Sequence, residues 1–546
     1  MKIALGQINP TIGDFSGNSK KIIDTARQAR ARGAEIVLFP ELAVCGYPPR
    51  DLLEKPAFVA RSRQVVDEIA RAVPEITVIT GFVSAAKVET GKSVMNSAAV
   101  LREGQVQFVQ SKMLLPTYDV FDELRYFAPA TSQRVLPFGG RQLAVTICED
   151  AWNDKHFWHR RLYSVDPIDE LLHSGADLVL NLSASPFHLK KRELRREMLE
   201  TIARDNKVTV VFVNQVGGND SLVFDGSSFV IAPDGRTVAR GKSFEEDLVL
   251  FDSDTLQGDI HEQIDGEEAS AYAALVLGTR DYVRKCGFHR VLIGLSGGID
   301  SALTAAIAVD AVGAENVTGV AMPSQYSSEG SVRDAEELAC KLGIRFKIVP
   351  IPEIFDSYRK ALDPVFAGLP ENVAEENIQS RIRGNILMAL SNKFGELVLT
   401  TGNKSELGVG YCTLYGDMVG GLAVISDVPK TLVYRLSCYV NSRHPVIPQS
   451  TLEKPPSAEL RPGQLDSDAL PPYEVLDNIL EDYVEDYHTA EQIAAERGYD
   501  LKLVRDVIRM IERSEYKRQQ AAPGIKVTPK AFGFGRRFPI AQKSEV

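Results

Sequence analysis

The feature that most constrains this chain is a glycine-containing turn between an apolar run and a helix-like run. Val291 to Leu295 predict a buried strand, Ser296-Gly297-Gly298-Ile299-Asp300-Ser301 form the turn, and helical sequence begins at Ala302. A strand, a tight turn and a helix start bring unpaired backbone N–H groups and partial positive charge to one point. The pattern predicts an α/β unit that binds phosphate, and an ordinary glycine turn is the plainer alternative.

The same turn says which phosphate chemistry to expect. No lysine follows the glycines, so this is not a GxxxxGK[ST] loop. Asp300 would repel a polyphosphate unless a divalent cation lies between them, which predicts Mg²⁺. SGGxDS resembles the loop of the ATP pyrophosphatases, which cleave ATP between the α and β phosphates. The resemblance implies ATP as a substrate, contacted by Gly294, Leu295, Ser296, Gly297, Gly298, Ile299, Asp300 and Ser301.

In the amino-terminal half, three chemically active side chains each close a predicted strand. Glu41 ends EIVLFPE, Lys112 ends QFVQSK and Cys148 ends QLAVTIC. Strand ends in α/β layers are where ligand crevices form. A thiol attacks a carbonyl as thiolate, so Cys148 needs a cation that favours its charge and a base that takes its proton. Lys112 and Glu41 meet those needs, although singly they would pass for an inert core thiol and two surface charges.

The region from Met1 to about Asp252 resembles the nitrilase, or carbon–nitrogen hydrolase, superfamily. The matching segments are LFPE, KMLLPTYDVFDE and Cys148-Glu149-Asp150, and they imply a catalytic set of Glu41, Lys112, Cys148 and Glu123. The resemblance also implies a four-layer αββα sandwich. An internal echo agrees with that fold, because RGAEIVLFPE and SGADLVLNLS share a helix end, a glycine, an acid and an apolar strand.

Glutaminase-type members of that superfamily imply the substrate of this half. It is the side-chain amide of glutamine, hydrolysed through a thioester on Cys148 with release of ammonia. Tyr118, Ser185 and Lys191 are implied as its contacts. Lys191 stands between Lys190 and Arg192, so an exposed basic run remains the alternative for this residue.

Four segments of the carboxy-terminal half indicate what receives the nitrogen. ENIQSRIRGN, TTGNKSELGVGY, YGDMVGG and IKVTPKAFGFGRRFPI resemble the glutamine-dependent NAD synthetase family, and with the first half the resemblance covers essentially the whole chain. It implies that ATP adenylates the nicotinate carboxylate of deamido-NAD and that ammonia then displaces AMP to form NAD. The open alternatives are another acceptor, such as a purine or an amino-acid carboxylate, and a regulatory protein whose sites have decayed.

The resemblance also assigns residues to this second reaction. Thr401 is implied as a further ATP contact. Asp300 and Glu406 are implied as ligands of Mg²⁺, a cation that prefers oxygen ligands. The implied contacts of deamido-NAD or of phosphates are Asn377, Glu406, Tyr411, Lys430 and Lys526.

Length and element order predict two domains. A chain of 546 residues exceeds one ordinary core. We expect the nitrilase-like domain at 1–252, an acidic linker at 253–270, and a parallel, Rossmann-like α/β domain at 271–546, since strands and helices alternate after the turn. Residues 453–474, rich in proline and acid, predict a surface loop or lid. The basic tail 526–537 predicts a local anion contact or a solvated end.

Composition narrows the partners. A net charge of -11 disfavours nucleic acid, and six cysteines without CxxC spacing disfavour a disulfide framework or a zinc site. The chain opens directly into KIALGQI and has no apolar run of membrane-spanning length, so we expect no membrane association and a cytoplasmic location. GxGxxG is absent after the early strands, which argues against a dehydrogenase that uses NAD as cofactor. The resemblance implies a homo-oligomer acting on small molecules.

Overall fold

A computed structural model describes residues 1–86 and 90–543. The chain divides into two compact units, Met1–Asp265 and Gly266–Val546. Among the described residues, no helix is both long enough and apolar enough to cross a bilayer.

The first unit is built mainly of strands. Its strands are β1 (Lys2–Gln7), β2 (Ile36–Leu38), β3 (Thr77–Ala85), β4 (Val94–Arg102), β5 (Gln105–Ser111), β6 (Leu136–Phe138), β7 (Arg141–Ile147), β8 (Leu178–Ser183), β9 (Thr209–Asn214), β10 (Val216–Asn219), β11 (Leu222–Asp225), β12 (Phe229–Ile231), β13 (Thr237–Arg240), β14 (Asp247–Asp252) and β15 (Gln257–Gly258). Its helices are α1 (Phe15–Ala31), α2 (Pro56–Ala72), α3 (Pro167–His173) and α4 (Lys191–Asn206).

Two sheets of this unit pack face to face. One has the order β15-β14-β1-β2-β3-β4-β5 and the other the order β13-β12-β9-β8-β7-β6. Side chains from both, among them Leu5, Leu38 and Val145, form one buried apolar layer. Helices α1 and α2 pack on the outer face of the first sheet, and α3 and α4 pack on that of the second. The predicted αββα sandwich is therefore observed, and its parallel strands β7, β8 and β9 are apolar because both of their faces are covered.

The second unit alternates strands with helices. Its strands are β16 (Val291–Gly294), β17 (Val317–Ala321), β18 (Arg345–Ile348), β19 (Leu397–Thr400) and β20 (Leu422–Ala423). Its helices are α5 (Glu267–Lys285), α6 (Ile299–Val312), α7 (Glu329–Leu342), α8 (Pro352–Phe366), α9 (Val373–Phe394), α10 (Lys404–Val409), α11 (Lys430–Arg443), α12 (Gln449–Glu453), α13 (Tyr473–Leu480), α14 (Ala490–Arg497), α15 (Leu501–Arg513) and α16 (Glu515–Arg518). The stretch 253–270, which was expected to be a linker, contains regular secondary structure. Strand β15 lies within it and pairs with β14, and its last residues form the start of α5.

The sheet of the second unit is parallel and has the order β18-β17-β16-β19-β20. The chain adds β17 and β18 on one side of β16 and then adds β19 and β20 on the other. Strand order therefore reverses between β16 and β19, and ligands of open α/β sheets bind at the carboxyl ends of the strands beside such a reversal. Ser296 and Thr401 leave these two strands at that point.

Helices cover this sheet and extend beyond it. Phe355 of α8 and Ile382 of α9 pack on Leu292 and Val398 of the sheet. Helices α5, α6 and α11 pack together, and α13, α14 and α15 form a separate apolar cluster. The predicted parallel α/β domain is observed, with an added helical subdomain that contains residues after 470.

Candidate active sites

The residues predicted as catalytic in the first unit meet at one buried point. Glu41 lies in the turn after β2, Lys112 directly follows β5, and Cys148 directly follows β7. Glu123 stands in a short 3-10 turn. All four side chains are almost fully buried. Because sheet geometry fixes where each strand ends, Glu41, Lys112 and Cys148 share one small volume although they are 36 to 107 positions apart along the sequence.

Lys112 is the centre of this cluster. Its Nζ lies 2.8 Å from Glu41 Oε1 and 2.9 Å from each oxygen of Glu123. Burial alone would lower the pKa of Lys112, but the charges of Glu123 and Glu41 raise it well above its ordinary value. Glu123 also accepts a hydrogen bond from the Tyr47 hydroxyl at 2.9 Å, which orients the carboxylate that holds the lysine.

The Cys148 thiol is held at a strained backbone position. Its φ of 42° lies in the left-handed region, which is uncommon for a residue with a side chain. Burial raises the pKa of this thiol well above its ordinary value, Glu41 raises it further, and Lys112 lowers it by less. Lys112 thus acts on the thiol in the expected direction, toward the thiolate, but burial and Glu41 outweigh it.

Asp150 connects the thiol turn to the lysine strand. Its carboxylate accepts the backbone N–H groups of Met113 and Leu114 at 2.9 and 3.0 Å, just beyond Lys112. The same carboxylate accepts the N–H of Ile147 at 3.1 Å, immediately before Cys148. The side chain is fully buried. One carboxylate therefore connects the backbone beside Lys112 with the backbone before Cys148.

A second buried carboxylate, Glu149, receives two tyrosine hydroxyls. Tyr118, predicted to contact glutamine, donates at 3.0 Å, and Tyr163 donates at 3.0 Å. Burial raises the pKa of Glu149, while the charges of Lys112 and Lys191 lower it. No role was predicted for Glu149 or Tyr163 from the sequence. An acid directly after the strand-end cysteine was a usable signal, whereas Tyr163 lies in an irregular loop with none.

The two remaining predicted glutamine contacts lie in different surroundings. The Lys191 ammonium is 4.0 Å from the centre of the Trp152 ring, a cation–π contact, and its charge acts on Glu149. It is partly buried rather than part of an exposed basic run. Ser185 is buried, and its backbone N–H donates to Asn214 Oδ1 at 2.9 Å.

In the second unit, the glycine turn adopts the geometry that its sequence predicts. Gly297 has a φ of 75°, and a Cβ at this position would lie 2.3 Å from the Ser331 carbonyl oxygen. Helix α6 begins at Ile299, directly after the glycines. The turn therefore needs glycine at 297 for both its backbone conformation and its close approach to α7.

A cavity of about 310 Å³ opens at this turn. Eight of the predicted ATP contacts line it, namely Gly294, Leu295, Ser296, Gly298, Ile299, Asp300, Ser301 and Thr401. Glu406, Tyr411 and Lys430 line it as well. The structure thus brings together residues from the ends of β16 and β19 and from the starts of α6, α10 and α11.

Two carboxylates of the cavity share one lysine. Lys430 Nζ contacts Asp300 Oδ2 and lies 3.4 Å from Glu406 Oε1. Burial alone would lower the pKa of Lys430, but Asp300 and Glu406 raise it. The pKa of Glu406 is raised to about 8. Burial is the largest cause, Lys430 opposes the rise, and Asp300, Asp466 and Asp417 add to it. Asp300, Glu406 and Asp466 act on the one ammonium of Lys430, so acidic side chains are in excess over the basic one.

That excess fits a divalent cation. Asp300 and Glu406 offer the hard oxygen ligands that Mg²⁺ prefers, and Mg²⁺ is commonly held by one or two carboxylates together with substrate phosphates. Across residues 1–86 and 90–543, no three His, Cys, Asp or Glu side chains are grouped closely enough to hold an ion without such phosphates. The donor set therefore fits a cation that arrives with a polyphosphate.

Three predicted residues lie outside the cavity lining. Gly297 is turned toward α7, and Asn377 accepts a hydrogen bond at 2.8 Å from Thr413, which does line the cavity. Lys526 is buried, and its ammonium donates to the carbonyls of Thr528 and Pro529 at 2.9 and 2.5 Å. The roles implied for Asn377 and Lys526 remain predictions.

The proline-rich stretch 453–474 forms one wall of the cavity. Its lining residues run from Lys454 to Leu460 and include Asp466. Glu459 accepts hydrogen bonds from Ser328 at 3.1 Å and Ser331 at 2.8 Å, which ties this wall to the start of α7. Arg383, a residue without a predicted role, also lines the cavity, and burial lowers its pKa to about 10.

The basic tail is packed against the second unit. Arg536 is buried and pairs with Glu512 at 3.2 Å and Glu515 at 3.0 Å. Nearer the cavity, the buried ammonium of Lys404 bonds Glu485 at 2.6 Å and Thr528 Oγ1 at 2.6 Å. The tail at Arg536 is therefore neither a contact for an external anion nor a solvated end, the two alternatives that the sequence predicted. The charge of Arg536 is neutralised by Glu512 and Glu515 within the protein.

Two family models together match nearly the whole chain. The carbon-nitrogen hydrolase model matches residues 2–260, and the NAD synthase model matches residues 271–521. These matches confirm both fold predictions and agree with the division into two units.

Full-length relatives carry the same pair of domains. The glutamine-dependent NAD(+) synthetase of Synechocystis sp. is 50% identical over 99% of this chain and 98% of its own length. That of Thermotoga maritima is 45% identical over 100% of this chain and 99% of its own length. A solved structure of the Acinetobacter baumannii glutamine-dependent NAD+ synthetase in complex with ADP matches with a TM-score of 0.78 and 44% identity, over 99% of this chain and 98% of that one.

Proposed function

The chain belongs to the family of glutamine-dependent NAD(+) synthetases, and from that premise we propose how its residues divide the reaction. It is a carbon–nitrogen ligase that takes ammonia from glutamine and uses it to amidate deamido-NAD. We assign the hydrolase to residues 1–252 and the synthetase to residues 271–546, joined by 253–270. The other products are glutamate, AMP and pyrophosphate.

The hydrolase begins with attack of Cys148 on the side-chain amide of glutamine. Glu41 takes the thiol proton as the carbon–sulfur bond forms, which the raised pKa of the thiol requires. Lys112 supplies positive charge to the oxyanion, and Glu123 holds Lys112 in place. Glu41 then passes the proton to the leaving nitrogen, so ammonia departs and a thioester remains. Water activated by Glu41 hydrolyses the thioester to glutamate.

The amino-acid end of glutamine needs charged partners of both signs. Glu149 is a buried carboxylate next to the nucleophile and suits the α-ammonium group. Lys191 suits the α-carboxylate, and Tyr118 supplies a hydroxyl to the same region. Ser185 completes this set as a backbone or hydroxyl contact. Specificity for glutamine therefore rests on groups that lie beside the thiol but take no part in proton transfer.

The synthetase uses the cavity at the carboxyl ends of β16 and β19. The nicotinate carboxylate attacks the α-phosphorus of ATP and pyrophosphate leaves. Ammonia then attacks the adenylated carbon and AMP leaves. Helix α6 begins directly after Gly298 at the cavity, and we assign binding of the phosphates to the backbone N–H groups of this helix start. Binding of phosphate requires Lys430 to exchange a carboxylate partner for a phosphate oxygen.

Asp300 and Glu406 hold Mg²⁺ in this proposal. When bound, the ion offsets negative charge on the polyphosphate and its leaving group. Thr401 contacts ATP, and Asn377, Tyr411 and Lys526 serve deamido-NAD, directly or through neighbours such as Thr413. A cytoplasmic location and a homo-oligomeric assembly stay predictions from the sequence.

One observation carries the proposal: a buried Cys–Lys–Glu cluster and an SGGIDS turn over a cavity occur in one chain that matches synthetases end to end. The test is to incubate the purified protein with ATP, Mg²⁺, glutamine and deamido-NAD and to identify products by mass. We expect NAD, AMP, pyrophosphate and glutamate in equal amounts. Absence of an amidated pyridine product with either glutamine or ammonium would refute the proposal.

A further inference from the structure

Asn96 on β4 is a second donor to the proposed catalytic base. Its Nδ2 donates to Glu41 Oε1 at 2.7 Å, and this same oxygen accepts Lys112 Nζ at 2.8 Å. The backbone carbonyl of Asn96 also accepts a hydrogen bond from the backbone N–H of Lys112 at 2.9 Å. The side chain is 1% exposed. Asn96 thus contacts the base directly and the lysine through the backbone.

The hydrogen bonds to the Glu41 carboxylate leave one of its acceptor positions open. An ionised carboxylate has about four acceptor positions, two on each oxygen. Asn96 and Lys112 fill both positions on Glu41 Oε1, and the Ala184 N–H fills one on Oε2 at 3.0 Å. The remaining position is on Oε2. A proton arriving at Oε2 displaces none of these contacts, whereas a proton arriving at Oε1 displaces one.

Apart from its hydrogen bond to Glu41, the side chain of Asn96 contributes little to the structure. Among residues 1–86 and 90–543, its Oδ1 is buried and has no hydrogen-bond partner. Buried polar atoms without partners are uncommon in folded proteins and call for an explanation. A side chain kept only for packing would be better served by leucine, which has a similar size and no polar atoms. The contact that justifies an amide here is the one with Glu41.

We propose that Asn96 is a positioning residue that directs the thiol proton to Oε2 of Glu41. The inference rests on the proposed glutaminase activity and extends it. The proton moves from Cys148 Sγ to Glu41 Oε2 as the carbon–sulfur bond forms. It moves on to the amide nitrogen as the carbon–nitrogen bond breaks, which yields a thioester and neutral ammonia. By blocking Oε1, Asn96 keeps one carboxylate orientation productive throughout.

Removing this donor changes the proton affinity of the base in a known direction. Hydrogen bonding to the charged form of a carboxylate favours that form, so loss of the Asn96 donor raises the proton affinity of Glu41. The other groups whose charges act in this cluster include Lys112, Glu123, Glu149, Cys148 and the Tyr47 hydroxyl, and all of them remain in the variants. The acid limb of the glutaminase pH profile therefore moves to higher pH.

The test compares wild type with Asn96→Leu and Asn96→Asp in the full chain. For Asn96→Leu we expect kcat of glutamine hydrolysis to fall about tenfold to a hundredfold, the size expected for one hydrogen bond to a charged group, with KM nearly unchanged. We expect the acid limb to rise by about one pH unit. Asn96→Asp keeps the shape of the side chain but adds a like charge beside Glu41. The acid limb of its pH profile should therefore move to still higher pH.

Ser97→Ala is the matched control. Ser97 is the next residue on β4, is fully buried, and bonds the hydroxyls of Ser84 and Ser111 at 2.7 and 2.8 Å. Its loss perturbs the same strand without touching Glu41, so its pH profile stays that of wild type. Thermal unfolding shows whether each variant is folded. If Asn96→Leu does not fold, the pH profile of Asn96→Asp decides the test.

The outcomes separate this inference from the proposed function. If wild type hydrolyses glutamine and folded Asn96 variants keep its acid limb, the inference is overturned while the proposed function stands. An equal limb shift in Ser97→Ala would also overturn it, since the effect would then belong to the strand. If wild type itself shows no glutaminase activity, both fail.

Discussion

Lys112 Nζ lies 2.8 Å from Glu41 Oε1 inside a site where neither side chain reaches solvent. Glu123 adds a second carboxylate to the same ammonium. Lys112 lowers the pKa of the Cys148 thiol, but burial and Glu41 raise it by more. In the proposed mechanism, a base therefore removes the thiol proton as the thiol attacks.

Replacing the nucleophile should separate the two activities. We expect Cys148→Ala to lower glutamine-supported NAD synthesis by at least about 10⁴-fold, because no thioester can form. Synthesis supported by added ammonium should persist, since the cavity residues lie in the other unit. NAD formation with each nitrogen source measures both effects. Loss of ammonium-supported synthesis in a folded protein would contradict this division of labour.

Glu41→Gln tests the base without emptying the site. The amide keeps the size of the side chain, and Lys112 retains Glu123 as a partner. We expect glutamine hydrolysis to fall about 10²- to 10⁴-fold, the usual contribution of a general base, with KM little changed. Glu75→Gln, at an exposed position of the same unit, is the control and should be neutral. Full glutaminase activity in Glu41→Gln would remove Glu41 from the mechanism.

The strand-end rule predicted the buried cluster around Lys112 because three side chains follow apolar strands. Glu41, Lys112 and Cys148 each stand where a buried run stops, and sheet packing then brings them together. Asn96 could not be found this way. It lies inside β4, where VMNSAAVL gives no reason to expect a polar contact, and its importance appears only when β4 is placed beside β3 and Glu41.

The second site shows where sequence distance defeats prediction. Taken alone, Lys430 has the properties of a solvated lysine, yet it is 2% exposed and bonds Asp300, 130 residues earlier in the chain. Its burial depends on how α11 meets the start of α6, which no local pattern encodes. The resemblance located the cavity residues, but only the folded structure shows that one lysine contacts both carboxylates proposed to bind Mg²⁺.

Gly297→Ala should destabilise the second unit. Alanine is strained at a φ of 75°, and its Cβ would lie 2.3 Å from the Ser331 carbonyl oxygen. We expect a loss of about 1–3 kcal/mol in the free energy of unfolding. Gly298→Ala is the matched control, because there φ is -85° and the nearest atom is the rotatable Ser296 hydroxyl at 3.2 Å. Denaturant unfolding checks both, and equal stability of the two variants would contradict the argument.

The proposed Mg²⁺ requirement should depend on pH through Glu406. Its pKa of about 8 means that, below this pH, a proton occupies the ligand-free carboxylate and competes with the ion. The concentration of Mg²⁺ for half-maximal ammonium-supported synthesis should rise as pH falls, by up to about tenfold per unit. Glu406→Gln should abolish this slope, whereas Glu336→Gln, at an exposed site on α7, should keep it. A slope unchanged in Glu406→Gln would exclude Glu406 as the competing group.

Lys404→Met should uncouple the tail from the cavity. Lys404 begins α10, the helix of Glu406, and its buried ammonium bonds Glu485 and Thr528 Oγ1 at 2.6 Å each. Methionine fills the space but leaves buried acids unpaired, so we expect the second unit to lose about 3–5 kcal/mol of unfolding free energy. Lys341→Met is the control, because Lys341 pairs with Glu337 at the surface and should change stability by less than about 0.5 kcal/mol. Glutaminase activity reports the first unit and should persist in both variants. Equal stability of the two variants would mean that Lys404 is not needed to hold α10, and with it Glu406, against the tail.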